Sequence, residues 1–429
     1  MAAVLSSQRT STVLKRPVWV AFAALLLAAP LVFRGGAGLS VLSQAAITMI
    51  FALSYNMLLG QGGMLSFGHS VYSGLGAFFV VHTMNLAGAG AFPIPVTLMP
   101  LVGGVCGASI ALLLGWVITR KAGMSFAMIT LGIVELVHVS ALIFPGFFGG
   151  DGGVTGNRVI GPPVLGISYG PQLQVYYLIA GWLFACTAAM YALTQTPLGK
   201  VANAVRDNPQ RVGYIGYNAQ CVRFFTLILS AFFAGIAGGL SAINYEIVTA
   251  ENAGLPASGL ILLFVFIGGT GFFYGPLLGA AIGVLMTVVV ADYSSAWSFY
   301  LGLFFMAMVV WAPGGVASLV LAAARLARHG QIRAILPALA RAGAAALPAM
   351  LGLICFVEML YHRTLGVDAS VPLKLFGFTV VTTNAVPWAV SGAMLLVGVG
   401  GLVLNRPSWR LAIGDANGRV AAAMRRKAV

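Results

Sequence analysis

Long apolar runs separated by short polar stretches dominate this chain. Residues 39–60, 175–193 and 224–243 are each long enough to cross a bilayer, since about 20 apolar residues span its hydrocarbon core. Only 7% of the 429 residues are charged, and 60% are hydrophobic. A soluble domain carries about 25% charged residues. The runs therefore predict an all-α, polytopic membrane protein, because a spanning helix satisfies its own backbone groups.

The runs predict about ten core spans and about two more after them. We expect residues 1–16 to precede the spans, residues 17–320 to form the membrane core and residues 321–429 to form a C-terminal extension with a basic tail. No convincing cleavage site follows the first run, so we expect that run to be retained. The predicted core spans are 17–33, 39–60, 64–84, 94–119, 122–145, 173–195, 224–244, 255–272, 276–292 and 296–312, and the extension adds 342–361 and 385–404.

The cations predict the orientation of the spans. With the N-terminus in the cytoplasm, all but four of the 23 Lys and Arg residues fall on the cytoplasmic side, as the positive-inside rule requires. Both termini are then cytoplasmic. The net charge of +14 is mainly this topology signal, so we expect contact with membrane lipid and none with nucleic acid. The four exceptions are Arg34, Arg158, Arg363 and Lys374.

Many of the 55 glycines cluster in two loosely similar stretches, at 60–76 and 268–283. Glycine-interrupted segments in corresponding halves of a chain are typical of transporters built from inverted repeats, with the solute path at the repeat interface. Glycine also lets helices pack closely without any transport function. The sequence leaves both interpretations open.

Two groups of polar residues fall within these apolar regions. Glu135 lies in the middle of a predicted span, where a carboxylate costs about 2.5–3.5 kcal/mol on insertion scales, and His138 is its predicted local partner. The other group runs through the first glycine-rich stretch, where it could bind a polar solute if the backbone is unwound. Both groups could instead make structural hydrogen bonds between helices. The candidate pathway residues are Asn56, Gln61, Ser66, His69, Glu135 and His138.

The loop at 196–223 is the most specific polar segment. Thr196 is a good N-cap, and a helix can run from there to about Asp207. Asn208-Pro209 then ends it and starts a second short helix, closed by Gly213 or Gly216. This predicts either a knob that docks a partner or an amphipathic loop on lipid headgroups. In the docking interpretation, Val201, Ala204 and Val205 fill a partner's groove and Arg206, Asp207 and Arg211 surround it.

The chain lacks the usual patterns of an enzyme. Its four cysteines and five histidines are dispersed, with no CxxC and no HExxH. No phosphate-binding G-x-x-x-x-G-K-[ST] pattern occurs, including in the glycine-rich loop at 147–171, which predicts a flexible surface loop or a connector. We therefore expect no cofactor, no metal and no catalytic residue on this chain.

Three stretches resemble a known family. The segments "LSYNMLLGQGGMLSFGHSVYSGLGAF", "TLGIVELVHVSALIFPGFFGGDGGVTG" and "GKVANAVRDNPQRVGYIGYNAQCVRFFTLILSAFFAGIAGGLSA", the last with the later "IGGTGFFYGPLLGAAIG" and "WAPGGV", are similar to permeases of bacterial branched-chain amino-acid ABC importers of the LivM type. The resemblance covers roughly residues 39–320.

This resemblance implies a pore in the bacterial inner membrane that works by alternating access. The implied partners are a second permease, cytoplasmic ATPase subunits that hydrolyse the ATP, and an external solute-binding protein. The small-molecule substrate is expected to be a branched-chain or other hydrophobic amino acid, with urea, amides and other small solutes as alternatives. The loop at 196–223 becomes the coupling element. Its predicted coupling residues are Arg206, Asp207, Asn208 and Arg211.

The extension at 321–429 departs from the usual family core, and its role stays open. Two other classes of function also remain. An ion-coupled secondary transporter would use Glu135 and His138 as a proton relay and would need no ATPase. A membrane-embedded enzyme would need catalytic side chains clustered at one depth, which nine acids and five scattered histidines do not supply.

Overall fold

The computed structural model describes residues 16–33, 35–91, 94–160, 168–365, 373–375, 378–382 and 384–428. Arg34, residues 1–15 of the predicted cytoplasmic segment, and 161–167 of the predicted outside loop lie outside these ranges. The described chain is almost entirely helical, and each of the twelve predicted spans corresponds to a helix. The predicted all-α polytopic fold is confirmed.

The chain divides into two compact units, residues 1–285 and 286–429. The boundary predicted at residue 320 stays a prediction. The helices of the first unit are α1 (Arg16–Val32), α2 (Gly36–Asn56, continued by a π-helix at Met57–Gln61), α3 (His69–Gly88), α4 (Met99–Ile118), α5 (Met124–Ile143), α6 (Pro145–Phe148), α7 (Gln172–Gln195), α8 (Pro197–Asp207), α9 (Pro209–Tyr214), α10 (Ala219–Tyr245), α11 (Leu255–Gly268) and α12 (Gly275–Val284).

The remaining helices follow a second π-helix at Leu285–Val289. Two long helices of the second unit pack against each other and are joined by a short β-hairpin, β3 (Leu373–Leu375) with β4 (Phe378–Val380). Glu358 accepts hydrogen bonds from the hydroxyls of Ser294 and Tyr300 within this unit. The helices are α13 (Val290–Tyr293), α14 (Trp297–Trp311), α15 (Gly315–Arg328), α16 (Ile332–Leu365) and α17 (Ala385–Ala428).

Eight helices of the described chain are long and apolar enough to cross a membrane. A ninth span results if α14 and α15, which meet at a 53° bend, count as one. Helix α11 and residues 17–32 of α1 are apolar but shorter. Helix α3 has 20 residues but is not among the eight, and it carries polar residues such as His69 and His82.

Helix α10 is the centre of the first unit. In its most apolar stretch, 78% of the residues are buried, whereas the share is 28–39% for the other long spans that begin in this unit. It packs on α2, α3 and α4, and at two of these contacts glycines leave no room for a side chain: Gly235 faces Gly103 of α4 and Gly238 faces Ser73 of α3. Close packing through small residues is thus one function of the glycines.

The end of the first unit at the start of α7 is held by Arg158. Its guanidinium donates to the carbonyls of Asn244 and Gly170, at 3.1 and 3.0 Å, and its backbone amide donates to Glu246. Beside it, β1 (Val154–Thr155) pairs with β2 (Ile247–Val248). The described part of the glycine-rich loop is therefore tied to the end of α10, which favours the connector interpretation there.

A substitution at Gly238 tests the packing around α10. A Cβ at this position would overlap the backbone of Ser73, so Gly238→Ala should destabilise the protein by about 1–3 kcal/mol. Thermal inactivation of the detergent-solubilised protein measures the effect. Gly181→Ala, on the exposed side of α7 with nothing within 4 Å of the added methyl, is the matched control and should be neutral. Equal inactivation of the two variants would contradict this packing.

Candidate functional site

The segment between α2 and α3, residues 57–68, is called the first break. It starts as a π-helix, a geometry that is frequent at functional sites. Irregular backbone follows from residue 62 to 68, and Gly63 adopts φ +64°, which only glycine takes readily. The predicted unwinding is confirmed, but the predicted span at 64–84 begins later, at His69. Residues 64–68 belong to the irregular connection between α2 and α3, so they are not part of α3.

The first break is fixed by buried hydrogen bonds and aromatic contacts. Tyr55 donates its hydroxyl to the carbonyl of Ser66, at 2.7 Å. The His69 ring is fully buried, lies 3.0 Å from the Ser54 hydroxyl through Nε2, and stacks on Phe51 at 5.4 Å between ring centroids. Ser66 and His69, both predicted pathway residues, therefore hold the shape of the break.

A second break, residues 269–274, separates α11 from α12. Here Gly269 adopts φ +105°. The two breaks meet: the Thr270 carbonyl and the buried Asn56 side chain both lie where a side chain at position 60 would be. Oδ1 of Asn56 has no hydrogen-bond partner among the described residues. Gln61, which follows Gly60 in the sequence, is half-buried. An unpaired buried acceptor is suited to receive a polar group from a ligand.

The predicted pairing of Glu135 with His138 is wrong. His138 instead places Nδ1 3.2 Å from the Ala250 carbonyl, on the side of α5 that packs against the protein. Glu135 lies on the exposed side of α5 and forms no hydrogen bond or ion pair within the described chain. The spacing of three residues allows the pair, but the His138 ring turns toward the Ala250 carbonyl instead of toward Glu135. The first break and Glu135 therefore do not form one site.

Helices α8 and α9, with their flanking residues 196–218, form a knob. The predicted Thr196 cap is confirmed, since its hydroxyl accepts from the amide of Gly199, and Asn208 caps the second helix by accepting from the amide of Arg211. The sequence thus also places Asn208 correctly at the joint between the two helices. Because both helices are capped and short, the knob is a defined shape rather than a loose loop.

The apolar side of the knob faces inward. Val205 is buried with Val212 and Val222, and Val201 and Ala204 pack against this cluster. The prediction that Val201, Ala204 and Val205 fill a partner's groove is therefore wrong, because these side chains cover the start of α10.

The exposed apolar surface of the knob lies at its tip instead. Tyr214 and Ile215 are 88% and 68% exposed, and Tyr217 is also exposed. Sequence reasoning missed these three residues. The signal available was the pair Gly213 and Gly216, which encloses Tyr214 and Ile215 and precedes Tyr217, where the chain turns and leaves large side chains exposed.

Arg206 faces inward, toward the first break. Its guanidinium donates to the carbonyl of Gly60 and also binds Asp207 through Nε and Nη2, at 3.1 and 2.9 Å. The side chain of Arg206 is only 20% exposed, whereas that of Asp207 is 59% exposed. The knob and both breaks therefore lie together, at the end of α7 opposite Arg158. The 24 residues of α7 separate the two ends by about 36 Å.

Comparison with known proteins identifies the family. The profile of the branched-chain amino acid transport system / permease component family matches residues 38–313, which include both breaks and the knob. The chain belongs to this family. No solved structure gives a significant match to the permease.

Individual relatives are permeases of transport systems. The high-affinity branched-chain amino acid transport system permease protein LivM of Escherichia coli K12 is 26% identical over 330 residues, covering 71% of this chain and 76% of that protein. A probable branched-chain amino acid transport permease protein LivH of Methanocaldococcus jannaschii is 23% identical, covering 58% and 79%. The galactofuranose transporter permease protein YtfT of E. coli K12 is 28% identical, covering 59% and 69%.

Proposed function

We propose that this permease is the membrane-spanning gate of an ATP-driven importer, with ATP hydrolysed by separate cytoplasmic ATPase subunits. The chain itself carries no catalytic residue and no cofactor in this scheme. Solute would pass beside the two breaks, and the breaks would open and close the inner end of the path as the protein alternates between outward-facing and inward-facing states. The observation that carries the proposal is the knob, whose two helices are capped, whose tip is exposed and which contacts the first break.

The tip of the knob has the chemistry of a docking surface. Tyr214 and Ile215 are large, apolar and exposed, and the charged residues Asp207 and Arg211 lie on the same two-helix element. A central apolar anchor with a polar surround is typical of protein–protein interfaces. A permease family member needs such a surface for its ATPase, so we assign the tip to that partner rather than to lipid headgroups.

The distribution of cations supports the orientation. The knob carries Lys200, Arg206 and Arg211, whereas the opposite end of α7 has Arg158. The positive-inside rule then places the knob and both termini in the cytoplasm, with the protein in a bacterial inner membrane. The Arg158 end faces outside, where an external solute-binding protein would deliver its cargo.

The substrate is proposed from the relatives. Two of them are named for branched-chain amino acids, and the match with the LivM relative covers 76% of that protein. A branched-chain or similarly hydrophobic amino acid is therefore the first choice. The galactofuranose permease is the reason to test other small solutes as well. A proton relay through Glu135 and His138 has no support from the geometry, since His138 turns toward Ala250.

A second membrane subunit is proposed to pack on the exposed side of α5. This side is apolar, with Met128 and Leu136 exposed, and Glu135 lies on it near the middle of the helix. A carboxylate facing lipid would be costly, whereas a donor on a neighbouring helix would stabilise it. The second permease subunit would supply that donor.

Substitutions at the tip of the knob test ATPase docking. Tyr214→Ser combined with Ile215→Asp should remove most of the ATPase activity that co-purifies with the tagged permease, and cellular uptake of labelled leucine should fall in parallel. The matched control is Tyr293→Ser, because Tyr293 is 87% exposed outside the knob. Full co-purification and uptake by the double variant would remove the knob from the docking surface.

Two substitutions at Glu135 test the second membrane contact. Glu135→Leu removes the hydrogen-bonding group, and we expect the complex with the second membrane chain to weaken about tenfold, since an interhelical hydrogen bond in a membrane contributes about 1–2 kcal/mol. Glu135→Gln keeps the group and should assemble normally. Native mass spectrometry of the purified complex measures the ratio of chains. Normal assembly of Glu135→Leu would contradict the contact.

A further inference from the structure

We infer that Arg206 is a linking residue inside this chain, which transmits movement of the knob to the first break through the carbonyl of Gly60. This inference rests on the proposed function, and it differs from the sequence-based prediction that Arg206 contacts the ATPase. Three observations carry it: the carbonyl that Arg206 binds, the way Asp207 holds the guanidinium, and the fit of the Arg206 stem against Gly63.

The Gly60 carbonyl is left over by the π-helix. The amides of Gly62, Gly63 and Met64 donate further back, to the carbonyls of Met57, Leu59 and Leu58. In a regular α-helix, the amide four residues on would satisfy the carbonyl of Gly60. Here Nη1 of Arg206 takes that place, although the two residues are 146 positions apart in the sequence. The break is thus completed by a side chain from the knob.

Asp207 fixes the direction of the guanidinium. Its Oδ1 accepts from Nε and Nη2 of Arg206, which leaves Nη1 directed at Gly60. A planar fork held on one edge has little freedom to rotate. A charge-assisted hydrogen bond from such a fork is stronger than a neutral one. Displacement of the end of α8 therefore acts on the Gly60 carbonyl rather than being absorbed by side-chain rotation.

Gly63 provides a second contact with the same side chain. A Cβ at this position would lie only 2.5 Å from Cγ of Arg206 and 3.1 Å from its Cβ. The methylene stem of Arg206 therefore packs directly on the backbone of the first break. The knob contacts the break both through a hydrogen bond and through steric contact, so that movement of the knob toward or away from the break would displace the break.

The link predicts variants in which the ATPase still docks and hydrolyses ATP, but in which less solute is imported per ATP. In Arg206→Met, the stem remains and the donor is lost. We expect the complex to assemble and hydrolyse ATP at near the wild-type rate, while the amount of leucine imported per ATP falls about tenfold, within the range of single-residue effects on coupling. Lys200→Met is the matched control, since Lys200 is an exposed cation on the same helix, and it should transport normally.

Gly63→Ala tests the same link from the other side, with Arg206 unchanged. The added methyl displaces the Arg206 stem, so import per ATP should also fall, although Gly63 also has a left-handed backbone that strains any other residue. Thermal inactivation of each variant identifies loss of folding. Should Arg206→Met fail to accumulate in the membrane, Gly63→Ala decides the question.

The outcomes separate this inference from the proposed function. Loss of ATPase co-purification in Arg206→Met would make Arg206 a docking residue and overturn the link. Wild-type import per ATP in Arg206→Met or in a folded Gly63→Ala would overturn it as well. Absence of any ATPase with the wild-type permease would instead overturn the proposed function itself.

Discussion

The hydrogen bond from Arg206 to Gly60 occurs where the regular helix α2 ends and the first break begins. Each backbone carbonyl in a membrane protein needs a partner, and an interrupted helix leaves some without one. The π-helix at the end of α2 shifts its hydrogen bonds backward and frees the carbonyl of Gly60. A side chain from the knob then satisfies it. The irregular segment beside the proposed solute path is thereby tied to the knob, which we propose as the docking element for the ATPase.

The glycines of this chain serve two different purposes. Gly235 and Gly238 let α10 pack against α3 and α4 without a side chain between the backbones, which places α10 at the buried centre of the first unit. Gly63 and Gly269 instead take backbone conformations that let the chain turn at the two breaks. The close packing around α10 and the two turns lie in the same unit.

The sequence predicts the helices and the knob well because those features are local. Thr196 and Asn208 cap helices through atoms a few residues away, and the apolar runs predict where the long helices lie. Contacts between distant segments leave no local signal. His138 has a nearby acid in Glu135 but binds the Ala250 carbonyl, and Arg206 binds a residue 146 positions away. The sequence marks Val201, Ala204 and Val205 as the apolar side of the knob, but that this side faces the protein depends on packing against α10.

The most direct test of this account is transport by the purified chain in proteoliposomes. The proposed gate takes its energy from a separate ATPase that binds the knob. Uphill uptake of labelled leucine should therefore require the ATPase subunits, the external binding protein and ATP together, and a proton gradient should not replace them. Uphill uptake by the permease alone, driven by such a gradient, would contradict the account.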